Sequence, residues 1–189
     1  MATTNNFWTN SGVRDPKRNF RFRVSFTGAE EDPVLGGGIM WFAKTATKPE
    51  VSFTESTHSY LNHTYYWPAR TEWNEVSITF VDPVDPDLAS AFIERLLESG
   101  YQYPKDANER TSISKKKAIE ALGGDILIQQ IDAEGNPIDT WSLKNAYIVS
   151  IDFGGALDYT SDEMNELTVE VAFDWAEYKS GVKRSGAQT

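Results

Sequence analysis

The sequence predicts a mainly β protein, a sandwich or barrel of antiparallel strands with a helix capping one side. Three observations predict it. Short segments alternate apolar and polar side chains with a period of two. These segments follow one another closely, without the strand–helix–strand rhythm of a parallel sheet. Aromatic residues make up 13% of the chain, which suits a β-rich core and aromatic-anchored interfaces. The 189 residues suffice for one domain with a real core.

Residues 1–18 read as an arm in which Phe7 and Trp8 are the large apolar side chains. Phe20 to Thr27 alternates without a fault: Phe20, Phe22, Val24 and Phe26 share one face, and Arg21, Arg23, Ser25 and Thr27 the other. Residues 28–38 form a loop by Gly and Pro content, Ile39–Thr45 a second strand, and Pro49 ends it. Val51–Tyr66 is β-prone but sparse in hydrophobic residues, which predicts a long protruding hairpin or loop. Trp67–Arg70 reads as a turn, and Glu75–Val81 as a strand with Val76, Ile78 and Phe80 inward. Asp85 is placed to cap a helix that starts at Pro86, carries Leu88, Phe92, Ile93 and Leu96 on one stripe and ends at Gly100.

Ser112–Leu122 reads as a shorter helix. Strands are expected at 125–131 and 138–143 around a turn, and at 146–153 with Tyr147, Val149, Ile151 and Phe153 on one side. The closing strand, 166–175, sets Leu167, Val169, Val171, Phe173 and Trp175 on one face. The organisation is therefore an arm (1–18), one domain (19–178) and a flexible basic tail (179–189).

Charge is distributed unevenly. Residues 1–27 carry +4 and 179–189 carry +3, whereas the 28–178 body carries −17. Such a body is unsuited to gripping nucleic acid, which requires Lys and Arg against phosphates. Basic ends on an acidic body favour head-to-tail meeting of copies, although acidic surfaces also simply keep proteins soluble. With no cysteine, disulfides and thiolate metal sites are excluded. No run of about 18 apolar residues occurs, so no transmembrane helix is expected, and the polar first ten residues point to maturation in a cytoplasm.

Catalytic patterns are missing. His58 and His63, five apart in a β-prone stretch, would face opposite sides of a regular strand. Gly36-Gly37-Gly38 lacks the lysine and hydroxyl that complete a phosphate loop. No serine sits in a G-x-S-x-G elbow, and spacing alone selects no carboxylate pair among 28 acids. Asp82, Asp85 and Asp87 fit a helix start better than a calcium site. The reading is of a non-enzymatic protein with no cofactor and no metal.

Three segments together carry a family likeness: Lys44-Thr45-Ala46-Thr47-Lys48-Pro49; the run from Arg70 through Trp73, Val76, Ile78 and Phe80; and the closing Glu166-Leu167-Thr168-Val169-Glu170-Val171-Ala172-Phe173-Asp174-Trp175. In this order, after an F-x-F-x-V-x-F strand, they resemble the tail tube proteins of contractile-tailed bacteriophages over residues 19–178. The resemblance implies two packed antiparallel sheets in a barrel-like sandwich with a flanking helix. It implies hexameric rings whose strands join into an inner β-barrel and that stack into a hollow tube. It also implies a surrounding sheath, baseplate and tail-terminator partners, passage of genome DNA through the lumen, no membrane insertion of the subunit, and a virion tail assembled in the host cytoplasm. Bacterial secretion and injection tubes share this fold and form the alternative in the same class. A monomeric carbohydrate-binding β-sandwich with aromatic platforms is the alternative from another class.

Under the resemblance, Phe7, Trp8, Phe53, Tyr60, His63 and Tyr65 are candidates for contacts between subunits or rings. Glu72, Glu75, Glu170 and Asp174 are candidates for an acidic lumen that repels DNA phosphates. The 28–38 segment and the 179–189 tail are longer than the shared pattern requires.

Overall fold

The computed structural model describes residues 16–27, 42–104 and 112–181. Phe7, Trp8, the 28–38 loop and the last eight residues lie outside the described residues. Ten strands and two helices are present among the described residues: β1 (Phe22–Phe26), β2 (Ala43–Ala46), β3 (Val51–Tyr60), β4 (His63–Trp73), β5 (Val76–Val81), α1 (Leu88–Glu98), α2 (Lys115–Ala121), β6 (Ile126–Ile131), β7 (Pro137–Lys144), β8 (Tyr147–Asp152), β9 (Glu166–Ala172) and β10 (Trp175–Ser180). They form two four-stranded antiparallel sheets, in the orders β1-β6-β7-β10 and β2-β5-β9-β8. We name these sheets A and B. β3 and β4 pair only with each other. The architecture is the expected mainly β sandwich with flanking helices, and its sheets do not close into a barrel.

Period-two patterning builds the core. Val76, Ile78 and Phe80 of β5 stand opposite Val171, Val169 and Leu167 of β9, all buried. Sheet A presents Val24, Phe26, Ile126, Ile128 and Leu143 from the other side. The intervening residues Ser77, Thr79, Thr168 and Glu170 line the outer face of sheet B, where the Thr79 and Thr168 hydroxyls lie 3.2 Å apart. α1 lays Leu88 and Phe92 onto this core, and the Phe92 ring contacts Phe80 with centroids 5.7 Å apart.

Several sequence expectations shift for local physical reasons. The α1 cap is Asp87, not Asp85: its carboxylate accepts the Ser90 amide at 3.1 Å, leaving Pro86 outside the helix. Gly100, at φ +107°, ends the helix region as expected; a Cβ there would sit 2.5 Å from the Ser112 carbonyl. Phe20 is exposed in a turn rather than on the buried strand face, because the Arg21 amide bonds back to Arg18 and the ladder starts at Phe22. Trp67–Arg70 is not a turn but the middle of β4, with Pro68 at a bulge of an open ribbon, where its missing N–H is tolerated.

The closing strand is two strands. β9 ends at Ala172, the chain crosses at Phe173-Asp174, and β10 joins sheet A beside β7. The crossover places Trp175 at the start of the second strand, exposed, instead of beside Phe173 in the core. A bulge between Ile148 and Ser150 likewise breaks the face expected of β8: Ile148 and Ile151 pack on the core, while Val149 and Phe153 are exposed.

Phe92→Ala should cost about 3–5 kcal/mol in urea unfolding, the usual loss for a large aromatic removed from a core. A loss below about 1 kcal/mol would show that α1 does not pack on Phe80.

Candidate assembly surfaces

The most conspicuous surface is the β3–β4 ribbon. β4 has eleven residues, about 35 Å at the usual rise per residue. Nearly every residue of both strands is exposed. The ribbon continues the β2–β5 pair outward, since Thr47 N–H donates to the Ser77 carbonyl and Asn74 N–H to the Glu50 carbonyl at 3.0 Å each. Ser59 and Thr64 hydroxyls meet across it at 3.1 Å, and the Thr54 hydroxyl accepts the Arg70 amide at 2.9 Å beside the bulge.

Register determines the faces. Pairs Ser56↔Trp67, His58↔Tyr65 and Tyr60↔His63 fall on one side, and Thr57↔Tyr66 and Ser59↔Thr64 on the other. His58 and His63, expected on opposite sides, thus share a face, because the two-residue turn Leu61-Asn62 reverses the chain between them. One face of the ribbon's outer half carries His58, Tyr60, His63, Tyr65 and Trp67. His63 and Tyr65 meet edge to face at 4.7 Å. The tip is Leu61, 86% exposed and at φ +53°, a left-handed conformation that Leu rarely adopts. Of the candidate contact residues, Tyr60, His63 and Tyr65 are together, while Phe53, 61% exposed, lies beyond the bulge toward the root.

The four candidate acids do not converge. Glu170 lies on the outer face of sheet B and accepts the Ser150 hydroxyl at 2.7 Å. Glu72 is exposed on the ribbon near its root, and Glu75 sits at the β4–β5 junction beside a groove under β8. Asp174, in the crossover, accepts Lys115 Nζ at 2.5 Å and Asn145 Nδ2 at 2.8 Å. The Lys115 hydrogen bond, then Asn145, holds its carboxyl below the ordinary carboxylate value against the opposing effect of burial. Asp174 therefore ties α2 to the strand crossover.

A buried polar cluster escaped the sequence reading. Asp139 of β7 is 2% exposed and pairs with Lys17, whose pKa is raised chiefly by that hydrogen bond. It also accepts the Gln130 amide at 3.3 Å, and the Gln130 side chain accepts Lys48 Nζ at 2.9 Å. The cluster joins the start of β1 and the root of the ribbon to sheet A. Its only sequence signal is an acid placed mid-strand on the face that otherwise holds Trp141 and Leu143.

No group of three metal-ligating side chains occurs among the described residues, and no helix of them is long and apolar enough to cross a membrane. No family model matches the sequence. No curated protein matches it either. Solved structures do match in fold. A chain in the tube-terminating cap of the anti-feeding prophage superposes with a TM-score of 0.63 at 15% identity, covering 96% of this chain and 100% of that one. A chain of the PVC sheath–tube complex of an extracellular contractile injection system gives 0.61 at 16%, covering 89% and 94%. One from the sheath/tube terminator of the same kind of system gives 0.60 at 17%, covering 89% and 100%. The protein thus has the fold of tube components of contractile injection systems.

Because the native Asp174 carboxyl titrates below its ordinary value of 3.8, its stabilising contribution is complete above that value and is lost as pH falls through the lower native one. Asp174→Asn should therefore be less stable than the parent at pH 7 in urea unfolding, with the difference shrinking as pH falls below the ordinary carboxylate value. A difference that stays the same from pH 7 into the acid range would mean that the Lys115 pair does not operate.

Proposed function

We propose that this protein is the repeating structural subunit of the inner tube of a contractile tail-like apparatus, without catalytic activity. Copies assemble into rings, with six per ring as the family resemblance implies, and rings stack head-to-tail. One observation carries this reading: the β3–β4 ribbon. A two-stranded ribbon is marginally stable alone in water. This one nevertheless projects Phe53, Tyr60, Leu61, Tyr65, Tyr66 and Trp67 into solvent. Such an exposed aromatic array on a projecting arm is the anatomy of an anchor that is buried on a partner. A ribbon that prolongs sheet B past the domain reaches the next ring along the tube axis.

In this reading sheet B faces the lumen, and the ribbon prolongs its strands along the tube axis. Its outer face offers hydroxyls from Ser77, Thr79 and Thr168 and the carboxylate of Glu170. Such a lining hydrates well and repels polyanions. The partners are a second copy, a sheath, a baseplate and a terminator. The injection-system form is favoured, since the matching folds come from extracellular contractile injection systems. A phage tail conducting DNA is the second form, for which the acidic lining speaks. The carbohydrate-binding alternative requires a flat aromatic platform on the domain itself, whereas the exposed aromatic row lies on the ribbon.

Negative-stain electron microscopy of concentrated protein, alone and with a baseplate nucleus, should show stacked rings or hollow tubes. Tyr65→Asp/Trp67→Asp should retain the β circular dichroism signal and single rings but lose tubes. A persistent monomer under both conditions would overturn the reading, and tubes that survive the double substitution would remove the ribbon from it.

A further inference from the structure

The chain has two histidines, and the ribbon register brings both onto one exposed face. His58 stands directly opposite Tyr65, and His63 stands opposite Tyr60, two positions nearer the turn. The histidines are therefore diagonal neighbours across the ladder, with Cα atoms about 7–8 Å apart and Cβ atoms somewhat closer. Residues two apart on one strand are separated by about 7 Å. The His63 and Tyr65 rings nevertheless have their centroids 4.7 Å apart, so they have closed on each other along β4. Tyr65 in turn faces His58 directly, which makes His58, Tyr65 and His63 one contiguous group. An α-helix presents a comparable histidine pair at i and i+4, with Cβ atoms about 5–6 Å apart, and such a pair holds zinc.

We propose that His58 and His63 chelate one divalent transition-metal ion, Zn²⁺, Ni²⁺ or Cu²⁺, and so staple β3 to β4 near the tip of the ribbon. Donor chemistry sets the class of ion. Imidazole nitrogen suits these three, whereas Mg²⁺ and Ca²⁺ take oxygen ligands. Residues 56–67 contain no carboxylate to hold a hard cation and no Lys or Arg to repel a metal. Two donors are fewer than the three-donor groups that are absent among the described residues, so water completes the coordination shell. The expectation of no metal rested on two histidines facing opposite sides of a single strand, and the reversal at Leu61-Asn62 removes that ground. The consequence is mechanical. The outer half of the ribbon buries almost no side chain, and a two-stranded ribbon is marginal alone. A metal that binds only the paired strands stabilises them as its occupancy rises. Both donors belong to one chain, so the site goes beyond the assembly reading and does not depend on it.

The test is a calorimetric titration of the chain, without an affinity tag, with Ni²⁺ and separately with Mg²⁺. Ni²⁺ should bind once per chain, and Mg²⁺ should give no binding heat. His58→Ala and His63→Ala should each weaken Ni²⁺ binding by about 100-fold, the loss expected when one of two linked donors is removed. Both side chains are exposed, so the circular dichroism of each variant should match the parent. With Ni²⁺ at a hundred times its Kd, amides that exchange through opening of the outer ribbon should slow by about 100-fold in the parent. They should not do so in either variant at the same concentration. Binding that survives either substitution, a site that needs only one histidine, or amide exchange that Ni²⁺ leaves unchanged would overturn the proposal, whatever the state of assembly.

Discussion

The pairing of β5 with β9 holds the rest of the molecule in place. Six consecutive register pairs, from Val76↔Val171 to Val81↔Glu166, set three buried aliphatic or aromatic couples on one face and hydroxyls and acids on the other. Each further feature is attached to one end of this pair. Phe80 gives α1 its footing through Phe92. Val76 receives the chain returning from the ribbon, and Ala172 releases it across the sandwich into β10. β9 also carries β8 on its far side. A one-residue slip of β5 in this register would turn Ile78 and Phe80 to solvent and Ser77 and Thr79 to the core. Register irregularities are found in the β2–β5, β3–β4, β6–β7 and β8–β9 pairs, and not in the β5–β9 pair.

The ribbon shows the opposite economy. It has a long ladder of backbone hydrogen bonds but almost no buried side chain, so its order derives from its root. That root is held twice. Trp73 packs on Phe173 with ring centroids 5.8 Å apart, and Lys48 reaches the buried Gln130–Asp139 cluster. Burying a carboxylate such as Asp139 is costly unless it is paired and hydrogen-bonded. Here both conditions are met, and they join three separate segments at the place where a lever would otherwise flex. A root held at two places orients the exposed aromatic face of the ribbon relative to the sandwich.

Much of this was legible from periodicity. The strict alternation of Val76–Phe80 and Leu167–Val171 identifies strands that are buried on one side, and the structure places both at the centre of sheet B. The long, poorly hydrophobic stretch after Pro49 was readable as a protruding hairpin. What alternation conceals is where a pattern changes sheet. From Leu167 to Trp175 the apolar residues fall on every second position, yet the chain leaves one sheet at Phe173 and enters the other at Trp175. A crossover of two residues preserves the period and hides the break. Pro68 misled for a related reason: proline signals a turn in a closed sheet, but costs little at a bulge of an open ribbon. The facing of His58 and His63 depended on the turn at Leu61, whose positive φ no propensity for leucine announces. The Asp139 cluster was invisible because its partners come from positions 17, 48 and 130, separations that local patterning does not report.

Charge joins these levels. The acidic body is not an even solvent coat. Several acids are spent inside the subunit: Asp139 on Lys17, Asp174 on Lys115, Asp125 on Lys144 and Glu166 on Lys44. These pairs fix the start of β1, α2, the β7 end and β2 respectively. Glu170 differs, since its hydrogen-bond partner is the neutral Ser150 hydroxyl and no ion pair joins it to a cation among the described residues. On that face its neighbours on β5 and β9 are Ser77, Thr79 and Thr168, none of them aromatic or cationic. A surface of that kind offers little apolar area for adhesion and disfavours polyanions. The ribbon contrasts with it, since there aromatic side chains are concentrated on an exposed face.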